Sequence, residues 1–189
     1  MTNDRLLLTE LPYNLPGSLY RSPMPFGIYD PAGEVWPAYQ QHNVGLVVVL
    51  TEPQEYLVHA CRDLPALYRS AGLDVIALPI PDFSTPPDRV AFNVAISNVE
   101  DALQIGQNVA VHCLAGVGRT GIFAACLAKR LLGMGGNEAV AWVRQHVPEA
   151  LEGARQEQFV IDFACDWDKT TNKKHVPEHS TGACVSLTE

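Results

Sequence analysis

The 189-residue chain predicts an α/β fold built on a mostly parallel central sheet. Three observations carry that expectation. The runs "VGLVVVL" (44–50), "LDVIALPI" (73–80) and "NVAVHC" (108–113) lack the polar alternation of a half-exposed strand, as expected of strands buried on both faces. Segments with helical spacing lie between and after them, which is the βαβ alternation of a parallel sheet. No period of 20–50 residues recurs, so a repeat architecture is excluded.

The elements follow in chain order. Residues 1–17 are rich in turn formers (Pro12, Asn14, Pro16, Gly17), and "SLYRS" (18–22) reads as a short first strand. A loop over 23–34 leads to a short helix over 34–43 that contains Pro37, and the strand 44–50 follows. Residues 55–72 predict one helix with Leu57, Cys61, Leu64 and Tyr68 on its apolar face. The strand 73–80 is expected beside the strand 108–113, and "PDFSTPPD" (81–88), with three prolines, is a loop. A helix over 89–106 presents Val90, Val94, Ile96, Ala102 and Leu103. After 108–113 come helices over 119–133, ended by Gly133, over 137–147, ended by Pro148, and over roughly 154–168. From Thr170 the chain is polar and aperiodic. The expected organisation is one domain over 1–169 and a mobile tail over 170–189.

Composition limits the function. With 47% hydrophobic and 18% charged residues the chain can bury a sizeable core. A formal net charge of −8 argues against broad binding to nucleic acid or to an anionic membrane, but leaves room for a local anion site. Five scattered cysteines, without a C-x-x-C pair or a Cys/His set at zinc spacing, point to a reducing compartment. The N-terminal apolar run is too short for a signal peptide, and no stretch approaches a membrane span. A soluble, cytoplasmic, monomeric protein is expected, with no metal, no cofactor, no nucleic acid and no membrane partner.

The stretch "HCLAGVGRTG" (112–121) joins a strand end, a glycine-containing loop and a helix start. Ligands of open α/β sheets bind beyond the carboxyl ends of the strands, where Cys113 stands. Gly116 and Gly118 let backbone N–H groups turn inward as an anion nest. The following helix aims its N-terminus at the same spot, and Arg119 brings a fork suited to bidentate phosphate contact. Amides, helix end and guanidinium together also stabilise a thiolate. Taken alone, a cysteine at a strand end is more often a packed core residue. The joint pattern of His112, Cys113, three glycines, Arg119 and Thr120 argues for a nucleophile in a phosphate cradle.

This stretch resembles the signature loop of the cysteine-dependent protein tyrosine phosphatase superfamily, H-C-five residues-R-[ST]-G, and the chain as a whole looks most like the small atypical dual-specificity phosphatases. The resemblance implies a twisted, mostly parallel sheet of four or five strands with helices on both faces, and neither metal nor organic cofactor. It implies Cys113 as nucleophile, Arg119 as the phosphate-binding and transition-state group, and Thr120 as hydrogen-bond donor to the thiolate. Leu114, Ala115, Gly116, Val117 and Gly118 would complete the cradle, and His112 would support it from behind.

"IPDFSTPP" (80–87) resembles the same superfamily's general-acid loop, W-P-D-F-x-x-P, with Ile80 in the tryptophan position, and implies Asp82 as the acid. Asp88 fits a helix cap better. "EGARQEQFVIDF" (152–163) resembles a glutamine-bearing loop, in which Gln156 or Gln158 would orient the hydrolytic water; two surface glutamines on a helix is the competing reading. In "VVLTEPQEY" (48–56), Glu52 or Glu55 would hold the arginine, or simply begin a helix. The expected substrate is a phosphorylated protein carrying phosphotyrosine, with phosphoserine or phosphothreonine also in reach. The alternatives are a non-protein phosphomonoester, such as an inositol phosphate or small metabolite, and a phosphate-binding pseudo-enzyme. The apolar Leu114, Ala115 and Val117 and the overall acidity count against polyanions, and the presence of Cys113, Arg119 and Asp82 counts against the pseudo-enzyme.

Overall fold

Thr9–Leu11 (β1) and Leu19–Ser22 (β2) pair antiparallel at one edge of a five-stranded sheet. The structure is a computed structural model, and it describes residues 7–164. In chain order there follow Val35–Gln41 (α1), Val44–Val49 (β3), Pro53–His59 (α2), Leu64–Ser70 (α3), Asp74–Ala77 (β4), Arg89–Gln104 (α4), Asn108–His112 (β5), Gly118–Leu132 (α5), Gly136–His146 (α6) and Ala154–Ile161 (α7). The sheet order is β1-β2-β5-β3-β4, with every pair after β1–β2 parallel. The fold is therefore the expected α/β sheet with β5, which leads to Cys113, at its centre.

Period-two alternation divides the buried strand residues between two helical layers. Leu46, Val48 and Leu50 join Val109 and Val111 against α4 to α7, while Val47, Val49 and Ala110 face α1 to α3. A register shift between Val44 and Leu46 leaves Gly45 outside the ladder and lets both faces stay apolar. Three phenyl rings, Phe123, Phe159 and Phe163, meet Phe92 edge-on where α4, α5 and α7 converge.

Several expectations are corrected. The turn-rich N-terminus contains β1, which is only three residues long and carries no periodic signal. The single helix over 55–72 is two helices. Cys61 takes a left-handed φ of 52°, and Asp63 caps α3 through the Ala66 N–H at 3.0 Å, with Pro65 in its first turn. The break rotates the buried face, so Tyr56, Leu64 and Tyr68 are inside while Leu57 and Cys61 are exposed. In α4 the inward residues are Phe92, Ala95, Ile96, Val99, Ala102 and Leu103, and Val90 and Val94 face out. β4 pairs with β3, not with β5. Regular strand structure ends at Ala77, but Leu78 N–H donates to Val49 O (2.9 Å) and Ile80 N–H to Leu50 O (3.0 Å). These bonds steer residues 78–80 along the end of β3 towards Cys113. The last helix is regular only to Ile161; the expected tail, 170–189, and the outer parts of the expected domain, 1–6 and 165–169, lie outside the described residues.

Candidate active site

β5 delivers Cys113 to the carboxyl end of the sheet, where its side chain is almost fully buried. His112, just before it, is fully buried. Its Nδ1 lies 3.2 Å from the Cys113 carbonyl, which can only accept, so Nδ1 carries the proton and Nε2 accepts from the Tyr68 hydroxyl at 3.1 Å. Burial is the main cause that lowers the His112 pKa to about 4, with the Arg119 charge adding to it. The imidazole is thus a neutral link between β5 and α3.

The loop 113–118 turns on Gly116, at φ 74°. A Cβ there would run into the Ser22 carbonyl group and Pro23 N, because the loop lies directly on the end of β2. Met24 N–H donates to Leu114 O at 3.0 Å and fastens the same edge. Gly118 opens α5, and Arg119 and Thr120 follow in its first turn, both 1% exposed. The Thr120 Oγ1 is buried and has no hydrogen-bond partner among the described residues.

Arg119 gathers the remaining pieces. Its Nη1 and Nη2 bind Glu55 Oε2 and Oε1 at 2.7 and 2.9 Å, a fork on a carboxylate. Nη1 also donates to Ile80 O at 3.1 Å, and Nη2 pairs with Asp82 Oδ1 at 2.8 Å. Burial opposes its charge, but the Glu55 hydrogen bonds, the Cys113 thiol and Asp82 outweigh burial and raise its pKa. Of the two glutamates singled out in the sequence, Glu55 holds the arginine. Glu52 caps α2, and its N–H donates to Glu55 Oε2 at 2.8 Å, which orients that carboxylate. Asp82 is 42% exposed at the mouth, beside Phe83, whose φ is 53°.

The two glutamines separate. Gln156 is buried; its Oε1 accepts from Glu152 N–H at 2.9 Å and its Nε2 donates to Ser84 O at 3.3 Å, so it ties the Asp82 loop to the α6–α7 loop. Gln158 is exposed and donates to Asp162 at 2.8 Å, which places it outside the cluster. Lys129 anchors α7 by donating to the Val160, Ile161 and Phe163 carbonyls at 2.7, 2.9 and 2.7 Å.

Two residues at the site were not singled out in the sequence. The Glu152 carboxylate lies against Gly118, where any Cβ would strike it. Burial first, then Asp82, raise its pKa. Its loop is set by Leu151 at φ 66° and by Arg144, which donates to Ala150 O and Leu151 O at 3.0 and 3.1 Å. The only sequence signal was its position four residues before Gln156. Arg21, near the end of β2, is 9% exposed and flanks the cradle; no local pattern distinguishes it from an exposed strand arginine.

The family described as the DSP-PTPase phosphatase of polymorphic toxin systems matches residues 26–135, more than half of the chain. The chain belongs to this phosphatase family. The mouse dual specificity protein phosphatase CDC14B is 30% identical over 152 residues, covering 78% of this chain and 28% of that protein. The Arabidopsis phosphatidylglycerophosphate phosphatase PTPMT1 is 28% identical over 127 residues, covering 67% of this chain and 36% of that protein. The chain thus spans about a third or less of the length of these relatives. Among solved structures, kinase associated phosphatase with its catalytic-site cysteine changed to serine superposes with a TM-score of 0.73 at 18% identity, covering 82% of this chain and 92% of that one, which shows the shared fold. No described helix of this family member is long and apolar enough to cross a membrane.

Proposed function

We propose that this phosphatase-family chain hydrolyses phosphomonoesters in two steps through a phosphocysteine. The observation that carries the reading is Arg119, buried in the first turn of the helix that follows the Cys113 loop and held by Glu55 while Nη2 also meets Asp82. A bound phosphate would take over Nη2 and the loop amides of 114–118, releasing the Asp82 carboxyl towards the leaving oxygen. Cys113 sulfur forms a bond to phosphorus as the ester P–O bond breaks, and Asp82 gives its proton to the departing oxygen. Water then forms the new P–O bond and gives a proton to the Asp82 carboxylate left by the first step, the S–P bond breaks, and inorganic phosphate leaves; Thr120, whose hydroxyl has no hydrogen-bond partner among the described residues, stabilises the departing thiolate.

Phosphoproteins are the favoured substrate class, in line with the dual specificity relatives. A non-protein phosphomonoester is the second reading, favoured by the relative named for phosphatidylglycerophosphate. The scattered cysteines and acidic charge support a monomeric protein in the reducing cytoplasm, with the phosphatase unit over 1–169. The test is turnover of an aryl phosphate with phosphoenzyme trapping. Cys113→Ser should abolish both turnover and label, and Asp82→Ala should slow poor leaving groups far more than good ones. Substantial activity in Cys113→Ser would overturn the mechanism.

A further inference from the structure

Beside the cradle lies a cavity of about 410 Å³, lined by Arg21, Tyr29, Ala115, Val117, Glu149 and Glu152 among others. Ala115 and Val117 belong to the signature loop, so the cavity adjoins that loop, although Cys113, Arg119 and Asp82 do not line it. Its volume suits one amino-acid-sized group.

Arg21 is the anomaly. It is 9% exposed, its Nε is buried without an acceptor, and no carboxylate among the described residues forms an ion pair with it. A buried Nε without an acceptor is costly, and native proteins normally complete such groups. Burial lowers its pKa, and the Cys113 thiol and Glu149 offset this only in part. The same cavity carries two carboxylates, Glu149 and Glu152. A second phosphate or plain carboxylate would meet one attraction and two repulsions there. A group with both an anion and a cation would use all three side chains: the Arg21 fork for a carboxylate, Glu149 and Glu152 for an ammonium. Tyr29 is held at the rim because Asp30 accepts from the Phe26, Glu34 and Val35 N–H groups at 3.0, 2.8 and 3.3 Å and fixes its loop.

We propose that the Arg21 cavity is a specificity subsite for the α-amino-carboxylate head of a free phosphoamino acid whose phosphate sits at Cys113. The inference rests on the phosphomonoesterase mechanism above and takes its second reading, a non-protein phosphomonoester, over the phosphoprotein one.

The test compares O-phospho-L-tyrosine and O-phospho-L-serine with their N-acetyl, carboxamide and doubly capped derivatives. Binding is read by calorimetry on the Cys113→Ser protein, and kcat/KM on the unaltered protein. The free phosphoamino acid is expected to exceed its doubly capped form by about tenfold in both readouts. Arg21→Met should erase discrimination against the carboxamide while keeping discrimination against the N-acetyl form; Glu149→Gln, at an exposed position that does not endanger folding, should weaken the converse. These ratios are internal, so a general disturbance of the loop, which lowers every substrate alike, leaves them unmoved. Equal or tighter binding of the doubly capped compounds, as a phosphopeptide site would show, overturns the subsite while leaving the mechanism intact. A Cys113→Ser protein that remains active overturns the mechanism, and the binding ratios then still decide the subsite.

Discussion

Glu55 grips both terminal nitrogens of Arg119 from 64 residues away in sequence, at 2.7 and 2.9 Å. The carboxylate is 15% exposed and the guanidinium 1%, so the pair is shielded from solvent. Truncating one member of such a pair leaves the other buried and uncompensated, at about 3 kcal/mol. Glu55→Ala should therefore lower stability in denaturant titration and reduce kcat/KM on an aryl phosphate by about a hundredfold, since Arg119 would lose its orientation. Glu52→Ala, which keeps the backbone N–H that meets Glu55, should change stability by less than about 0.5 kcal/mol and leave activity nearly intact.

Gln156 and Gln158 are two residues apart on α7 and should behave as opposites. Gln156→Ala cuts the link between Ser84 O and Glu152 N–H, and the Asp82 loop loses its tether. A fall in kcat of about tenfold is expected, largest for poor leaving groups that need the acid. Gln158→Ala loses only an exposed bond to Asp162 and should leave kcat within about twofold, a comparison made by steady-state kinetics across a leaving-group series.

Gly116 and Gly133 both have positive φ, 74° and 67°, yet only one is crowded. An added Cβ at Gly133 meets nothing within 4 Å, so Gly133→Ala should cost about 1 kcal/mol, the left-handed penalty alone. At Gly116 the same Cβ meets the Ser22 carbonyl, and the loop must shift. Gly116→Ala should lose more than about 2 kcal/mol together with phosphate binding. Thermal melts with and without inorganic phosphate separate the two cases.

The buried His112 gives stability a defined pH dependence. Its folded pKa is lowered to about 4 from 6.5, so between those values the unfolded chain binds a proton that the folded chain refuses. Stability should fall by up to about 3 kcal/mol as pH drops from 6.5 to 4, then level off with respect to this group. Replacing the ring in His112→Asn should flatten that slope in unfolding curves collected across the interval, whatever it does to stability at neutral pH.

Cys113, Gly116, Arg119 and Thr120 were legible because one contiguous loop must nest an anion, and Asp82 because its loop carries its own pattern. The strand order, the broken helix at Cys61 and the β1 edge were not legible, since short strands and left-handed residues leave little periodic trace. Between Glu52 and Glu55 local sequence offered no choice; only the fold brings Glu55, in the first turn of α2, against Arg119, in the first turn of α5.

By itself the sequence determined the strand–loop–helix order at 112–121 and singled out the residues proposed for the cradle, because that pattern runs over ten consecutive positions. Only tertiary structure decided what surrounds it: Glu55 behind Arg119, Gln156 tying two loops, Glu152 against Gly118, and Arg21 buried without a partner. The first three of these join residues 34 to 72 positions apart, and their energies come from packing and desolvation, which exist only once the sheet and both helical layers have closed.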